Sequence, residues 1–199
     1  MVVLGERRNA PVWLLIAVAV LLVAVALLSY ALVSEEDGGA SARFDSAEAD
    51  CSSVTGTSNA AELRRIVPDA SFYSVKAERL IKERAAKLLC EVRADDRVAV
   101  RFLVKETAGD RDDWARYITQ TDIDWSSGRH KVDVYGGGFS DAHAAALFLP
   151  CPGRAEAMGA NQGMSLTVTA PPDGDHEKDL LQLAKRTAKY ASQQLGCQK

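Results

Sequence analysis

The sequence predicts an α+β domain on one antiparallel sheet of about five to six strands with helices packed on it, preceded by one transmembrane helix. Three observations predict it. Short alternating apolar runs recur between turn residues across positions 70–170. One long amphipathic pattern closes the chain, and one uncharged apolar run stands near its start. The chain has 199 residues, 47% of them apolar, and the part beyond the apolar run is still rich enough in such side chains to bury the core of one ordinary domain.

The apolar run comes first. No charge occurs from Ala10 to Val33. As a helix, 12–33 would reach about 33 Å at about 1.5 Å per residue, enough for a hydrocarbon layer of about 30 Å. Trp13 and Tyr30 stand near its ends, where amphipathic rings prefer the headgroup layer. Arg7 and Arg8 precede it, and Glu35, Glu36 and Asp37 follow, so the basic end is expected to stay in the cytoplasm. The expected division is a cytoplasmic N-terminus at 1–11, a signal-anchor helix at 12–33, a flexible acidic linker at 34–50 and an extracytoplasmic α+β domain at 51–199. The competing reading is a cleaved signal peptide ending at Ala40-Ser41-Ala42. Its apolar region would span about 7–15 residues, shorter than this run.

Within the exported part, Thr57 or Ser58 is expected to cap a short helix bearing Leu63, Ile66 and Val67, with Pro68 ending it. A strand is expected at 70–76. Two more, at 85–94 and 97–106, are joined at Asp95-Asp96, the second alternating through Val98, Val100, Phe102 and Val104. A helix follows near Asp110 with Trp114, Tyr117 and Ile118 inward. Strands are then expected at 131–136, 144–151 and 164–170, the last with Met164, Leu166 and Val168 on one face. The closing helix runs from about His176 to Leu195, with Leu180, Leu183, Ala184, Thr187, Ala188, Ala191 and Leu195 on one stripe. The stretches ending at Cys90 and Cys151 are each followed by an alternating strand, a Gly-Asp pair (Gly109-Asp110 and Gly174-Asp175) and a helix. That order suggests a degenerate internal repeat.

Cys51, Cys90, Cys151 and Cys197 all lie beyond the apolar run, on the side where disulfides persist. Three pairings are open. Cys51–Cys90 with Cys151–Cys197 is favoured, because each bridge then ties one end of the domain to a strand of its own half. A zinc site would need close ligand pairs, and the nearest cysteines are 39 positions apart.

Few polar residues suggest chemistry. Asp173, Asp175, His176, Glu177 and Asp179 resemble a metal loop but lack the spacing of an EF-hand. As acidic residues at a helix start they are better read as caps, like Asp110, Asp112 and Asp113 at the other. The run 136–141 with Ser140, near His143, has the glycines of an oxyanion loop but not the nucleophile elbow. A glycine turn between strands is the simpler reading. His130 is expected in a solvated loop. Trp114, Trp125 and Tyr135 are candidates for lining a groove, with Trp114 more at home in the core. No catalytic, cofactor-binding or metal-ligating residue is therefore expected. Without Glu6, Arg7 and Arg8, the chain carries 22 basic and 26 acidic residues, a net of −4, which disfavours nucleic acid as a partner. It has no basic cluster for anionic headgroups either.

Arg7-Arg8, the apolar run, the acidic linker and a four-cysteine domain rich in Ala, Arg, Val and Asp resemble exported proteins of actinobacteria. The order CSSV, helix, LLCEV, strand across 51–104 is similar to small secreted or lipid-anchored domains of that group, and to the two-disulfide extracellular sensor domains of actinobacterial membrane kinases. The chain departs from the first in having no anchoring cysteine after the apolar run, and from the second in having no kinase domain, so no functional residue is carried over. The tether, the rigid stapled domain and the absence of recognisable chemistry instead suggest a membrane-tethered binding or sensor module outside the cell, meeting an envelope protein or a small extracellular ligand. An accessory subunit of an envelope complex is the next reading, and an envelope enzyme the last.

Overall fold

Seven strands, rather than five or six, form one sheet. The structure is a computed structural model and describes residues 51–56, 60–82, 85–107, 109–123, 125, 128–154 and 163–197. The segments expected at 1–11, 12–33 and 34–50 lie outside the described residues. Among the described residues, no helix is long and apolar enough to cross a membrane.

The strands are β1 (Tyr73–Lys82), β2 (Ala85–Ala94), β3 (Arg97–Thr107), β4 (His130–Val132), β5 (Gly138–Ser140), β6 (Ala144–Pro150) and β7 (Gly163–Thr169). Their order across the sheet is β1-β2-β3-β7-β6-β5-β4, with every pair antiparallel. Local chemistry makes the β2–β3 hairpin. Asp95 and Asp96 both take positive φ, 46° and 63°, the left-handed pair that matches the twist of a two-residue turn. The Asp95 carboxylate then accepts from the N–H groups of Ser71 and Phe72, at 2.9 and 3.2 Å, which anchors the entry into β1.

The alternation of each strand divides the sheet into an inner and an outer face. Inner positions include Leu88 and Val92 of β2, Phe102 and Val104 of β3, Leu166 and Val168 of β7 and Leu147 of β6, all fully buried. Three helices share that core: α1 (Ser52–Thr55), α2 (Ala60–Ile66) and α4 (Glu177–Gln194). The buried stripe of α4 is the one its periodicity predicts: Leu180, Leu183, Ala184, Thr187, Ala188 and Ala191. The fourth helix, α3 (Arg111–Tyr117), lies on the outer face. There Trp114 and Ile118 form a second cluster with Ala146 and Phe148, and the indole N–H of Trp114 donates to the Ser165 hydroxyl at 2.9 Å.

Two bridges close the ends of the domain, Cys51–Cys90 and Cys151–Cys197, and no described cysteine is free. These are the favoured pairs. The strand order also has two parallel histories: β1-β2-β3 and β5-β6-β7 are each a meander, meeting along β3 and β7. The helix that follows each meander does not share the pattern, since α3 and α4 lie on opposite faces of the sheet.

Several boundaries differ from expectation. The strand expected at 70–76 starts at Tyr73 and runs on to Lys82. It is an edge strand, exposed over most of its length, so Ala77–Lys82 carries no alternation for a sequence reading to detect. The single strand expected at 131–136 is two strands and a turn. Tyr135 and Gly137 take positive φ, and a Cβ at Gly138 would lie 2.2 Å from the Ala146 carbonyl oxygen, so β5 approaches β6 more closely than any side chain allows. His130 is exposed, as expected, but stands in β4 rather than in a loop. Tyr117 is 46% exposed rather than inward, because the helix continues into a π-helical turn (Ile118–Asp122) that hands its place to Ile118.

Two predictions follow from this packing. Replacing Cys51 and Cys90 together by serine is expected to lower stability by about 2–4 kcal/mol, read as the shift of the urea midpoint, and the same holds for Cys151 with Cys197. The second concerns Arg65 of α2, whose Nε donates to both carboxylate oxygens of Asp179 in α4 at 3.1 and 2.9 Å. That hydrogen bond holds the Asp179 pKa below its ordinary 3.8. A carboxylate with a depressed folded pKa stabilises above its unfolded value, and the contribution disappears as pH falls through the folded one. Because Arg65 is half exposed, Asp179→Asn is expected to cost only about 0.2–1 kcal/mol at neutral pH. The variant and the parent should converge in acid-urea titrations below the ordinary carboxylate range.

Candidate functional site

Among the described residues, the outer face of the sheet is covered at one end by α3, and the groove beside that cover is the candidate site. Its floor follows from register. Glu91 of β2 faces Arg101 of β3, Arg101 faces Thr169 of β7, and Thr169 faces Ala144 of β6, so these four form one row across the sheet. The next row reads Leu89, Leu103, Thr167 and Ala146. In the row after that, Ser165 is held by Trp114 of α3. Since α3 has only seven residues, it covers that end and leaves the first row open. The result is a groove of about 520 Å³, within the usual range for small-ligand sites.

The first wall grows from the chain that leaves α3. After the π-helical turn, Ile123 and Trp125 line the groove. Trp125 is fixed from three sides. Its indole N–H donates to the Ile118 carbonyl at 2.8 Å, its ring meets Phe139 edge-on at 6.2 Å, and the Arg129 guanidinium lies 5.9 Å over it. Arg129 also lies 5.3 Å over Phe139, which clamps the two rings together.

The second wall is His143, with Ala170 and Pro172. The buried Asp141 carboxylate accepts from the N–H groups of His143 and Ala144, at 2.9 and 2.8 Å, and so shapes the bend between β5 and β6. The His143 carbonyl accepts from Ala170 N–H at 2.8 Å, joining this bend to the end of β7. Among the described residues, His143 Nδ1 is buried without a hydrogen-bond partner.

The floor carries one cation. Arg101 Nε donates to Glu91 Oε1 at 2.8 Å. Glu91 is nearly buried, with 11% of its side chain exposed, whereas Arg101 is 49% exposed. The carboxylate therefore acts as a fixed post for a guanidinium whose other end reaches solvent.

The candidates read from sequence are dispersed. The Ser140 hydroxyl, buried, donates to Glu177 Oε1 at 2.7 Å, so it faces α4 and is not hydrogen-bonded to His143. Glu177 and Asp179 stand in the first turn of α4, as the dipole reading expects, but the acidic side chains at 173–179 make ties to other elements more than cap bonds, which corrects that part of the sequence reading. Glu177 holds Ser140, Asp179 holds Arg65, and the Asp173 carbonyl lies 3.3 Å from His176 Nε2. Only Asp175 bonds the helix start, accepting from Glu177 N–H at 3.3 Å, while the N-cap is His176 with no side-chain bond. At α3 the capping reading holds: Asp110 accepts from the N–H groups of Asp112 and Asp113. Asp113 itself pairs with Arg116. Of the three aromatic candidates, Trp125 lines the groove and Trp114 is core. Tyr135 donates to the Lys185 carbonyl of α4, away from the groove, and desolvation pushes its phenol pKa up. Among the described residues, no three His, Cys, Asp or Glu side chains gather as metal ligands.

Sequence reading missed Arg101, Thr167 and Thr169. Their one signal is parity, since each alternates with a buried residue on its strand. Parity alone reads as a solvated face, and only the β3–β7 pairing makes them neighbours.

No family model, curated protein or solved structure matches the chain.

The reassigned acidic segment yields an ordering of two substitutions. Ser140→Ala removes a buried bond to a charged partner and is expected to cost about 1.5–3 kcal/mol. Asp175→Ala removes one long bond at an exposed helix start and is expected to cost about 0.5 kcal/mol. Thermal unfolding in which Asp175→Ala is the more damaging would restore capping as the main role of the segment.

Proposed function

We propose that this chain is a membrane-tethered binding or sensor module, held by 12–33 with its folded domain outside the cytoplasm, and that the outer-face groove receives its ligand. The observation that carries this reading is the groove itself. It joins an anchored guanidinium, two threonines and an immobilised indole on a sheet whose opposite face packs its central strands against helices. Two disulfides support the oxidising side of a membrane. The apolar, uncharged stretch of 12–33 and the basic residues before it support the anchor and its direction. We read the domain as acting by binding rather than catalysis, supported by the mutual engagement of Ser140 and Glu177. The kinship with actinobacterial exported domains, and duplication of an ancestral three-stranded meander, belong to the same proposal.

A second reading, an accessory subunit of an envelope complex, is favoured by one feature. The edge strand β1 exposes Leu80 and Ile81, each 36% accessible, where another chain could pair.

Topology and site are tested separately. Protease added to intact, wall-stripped cells is expected to digest the C-terminal domain and spare the N-terminus; a protected C-terminal domain would overturn the orientation. A photo-crosslinking residue at Thr167 is expected to gain a small-molecule adduct in native membranes, read by intact mass. Crosslinking to a protein from position 80 only, with none at 167, would favour the accessory subunit instead.

A further inference from the structure

We infer that the groove selects a small amphipathic organic monoanion: one carboxylate attached to a flat apolar body. The inference rests on the groove being the ligand site and adds which chemistry the site accepts.

The two halves of the groove differ in character along the sheet. In the Glu91–Arg101–Thr169–Ala144 row, hydrogen-bond donors gather: the guanidinium, the Thr169 hydroxyl and, at the adjoining wall, the His143 ring. In the neighbouring row the floor is Leu103 and the Thr167 side chain, and the wall there is Ile123 and Trp125. A ligand lying across both rows must be polar at one end and apolar at the other. The indole is already clamped by Ile118, Phe139 and Arg129, so it offers a preorganised flat surface at little entropic cost.

Charge then selects between anions. Arg101 is the cation lining the groove, and Glu91 sits 2.8 Å from its Nε. Among the described residues, Glu91 is the one partner of Arg101, so the guanidinium has remaining N–H groups for a planar carboxylate. The neighbouring carboxylate, however, offsets the single charge of Arg101, so the site holds no second positive charge for a more highly charged anion. A monoanion gains a charge-assisted hydrogen bond, whereas a dianion places its second charge against Glu91. Glu91 is thus a positioning residue that also sets the charge of the ligand.

The test uses the full-length chain in lipid nanodiscs, titrated calorimetrically against empty-disc blanks. The probes are 2-naphthoate, its neutral isostere 2-naphthamide, 2-naphthyl phosphate and acetate. 2-Naphthoate is expected to bind most tightly, 2-naphthamide and the phosphate more weakly, and acetate not measurably. Arg101→Gln is expected to weaken 2-naphthoate about tenfold, the weight of one charge-assisted bond, and 2-naphthamide by distinctly less, the weight of a neutral one. Trp125→Ala is expected to weaken both. Glu91→Gln, with folding checked by thermal melt, should shift preference toward the phosphate. Failure to bind 2-naphthoate, or equal binding of acid and amide with Arg101→Gln silent, overturns the inference. In the latter case Trp125-dependent binding of the amide leaves the groove itself standing as a ligand site, whereas an empty groove in the Thr167 crosslinking removes that reading too.

Discussion

The pairing of β3 with β7 is the constraint on which the rest of the structure depends. It joins two meanders that are otherwise separate, and the faces of the sheet acquire a meaning through it. In its observed register Phe102 faces Val168 and Val104 faces Leu166 on the inner side, while Arg101 faces Thr169 and Leu103 faces Thr167 on the outer side. A slip of one residue would pair inner with outer positions along the whole seam and drive Arg101 toward a core of valine and leucine. Burying that guanidinium without a partner would cost several kcal/mol, so the register is strongly specified. The same register that protects the core builds the floor of the groove.

The two faces are unequal because the helices are unequal. The long α4 and the two short N-terminal helices fill the inner side and are stapled there. Cys51 ties α1 to β2, and Cys197 ties the end of α4 to the end of β6. Among the described residues the outer side receives α3 alone, and the surface beside it is polar at its Arg101 row and apolar at its Leu103 row. The departure from internal symmetry is therefore productive. Had α3 followed the placement of α4, it would lie on the inner face, and the outer sheet would lack the wall of Ile123 and Trp125.

The polar residues sort by the same logic. Those that looked chemical as a string, the acidic segment and the glycine run, are ties between elements: Ser140 to Glu177 joins β5 to α4, and Asp179 to Arg65 joins α4 to α2. Glu91 and Arg101, which looked like ordinary strand surface, form an ion pair that fixes the guanidinium lining the groove.

By itself, the sequence determined what depends on near neighbours. The parity of β2, β3 and β7, the buried stripe of α4, the Asp95-Asp96 hairpin and the Asp110 cap are all dictated by residues within a few positions of one another. The bridges were also accessible, since four cysteines spaced far apart leave few sensible pairings. Edge strand β1 escaped because a strand open to solvent along one edge needs no alternation. The break between β4 and β5 escaped because its cause, the close approach of Gly138 to Ala146, is a contact between strands. The groove belongs wholly to tertiary structure. Arg101 and Thr169 are 68 positions apart, and nothing in either segment states that β3 will pair with β7 rather than with another strand. That choice is made by the combined burial of both inner faces in one core with the helices of that side, a quantity that exists only once the chain has folded.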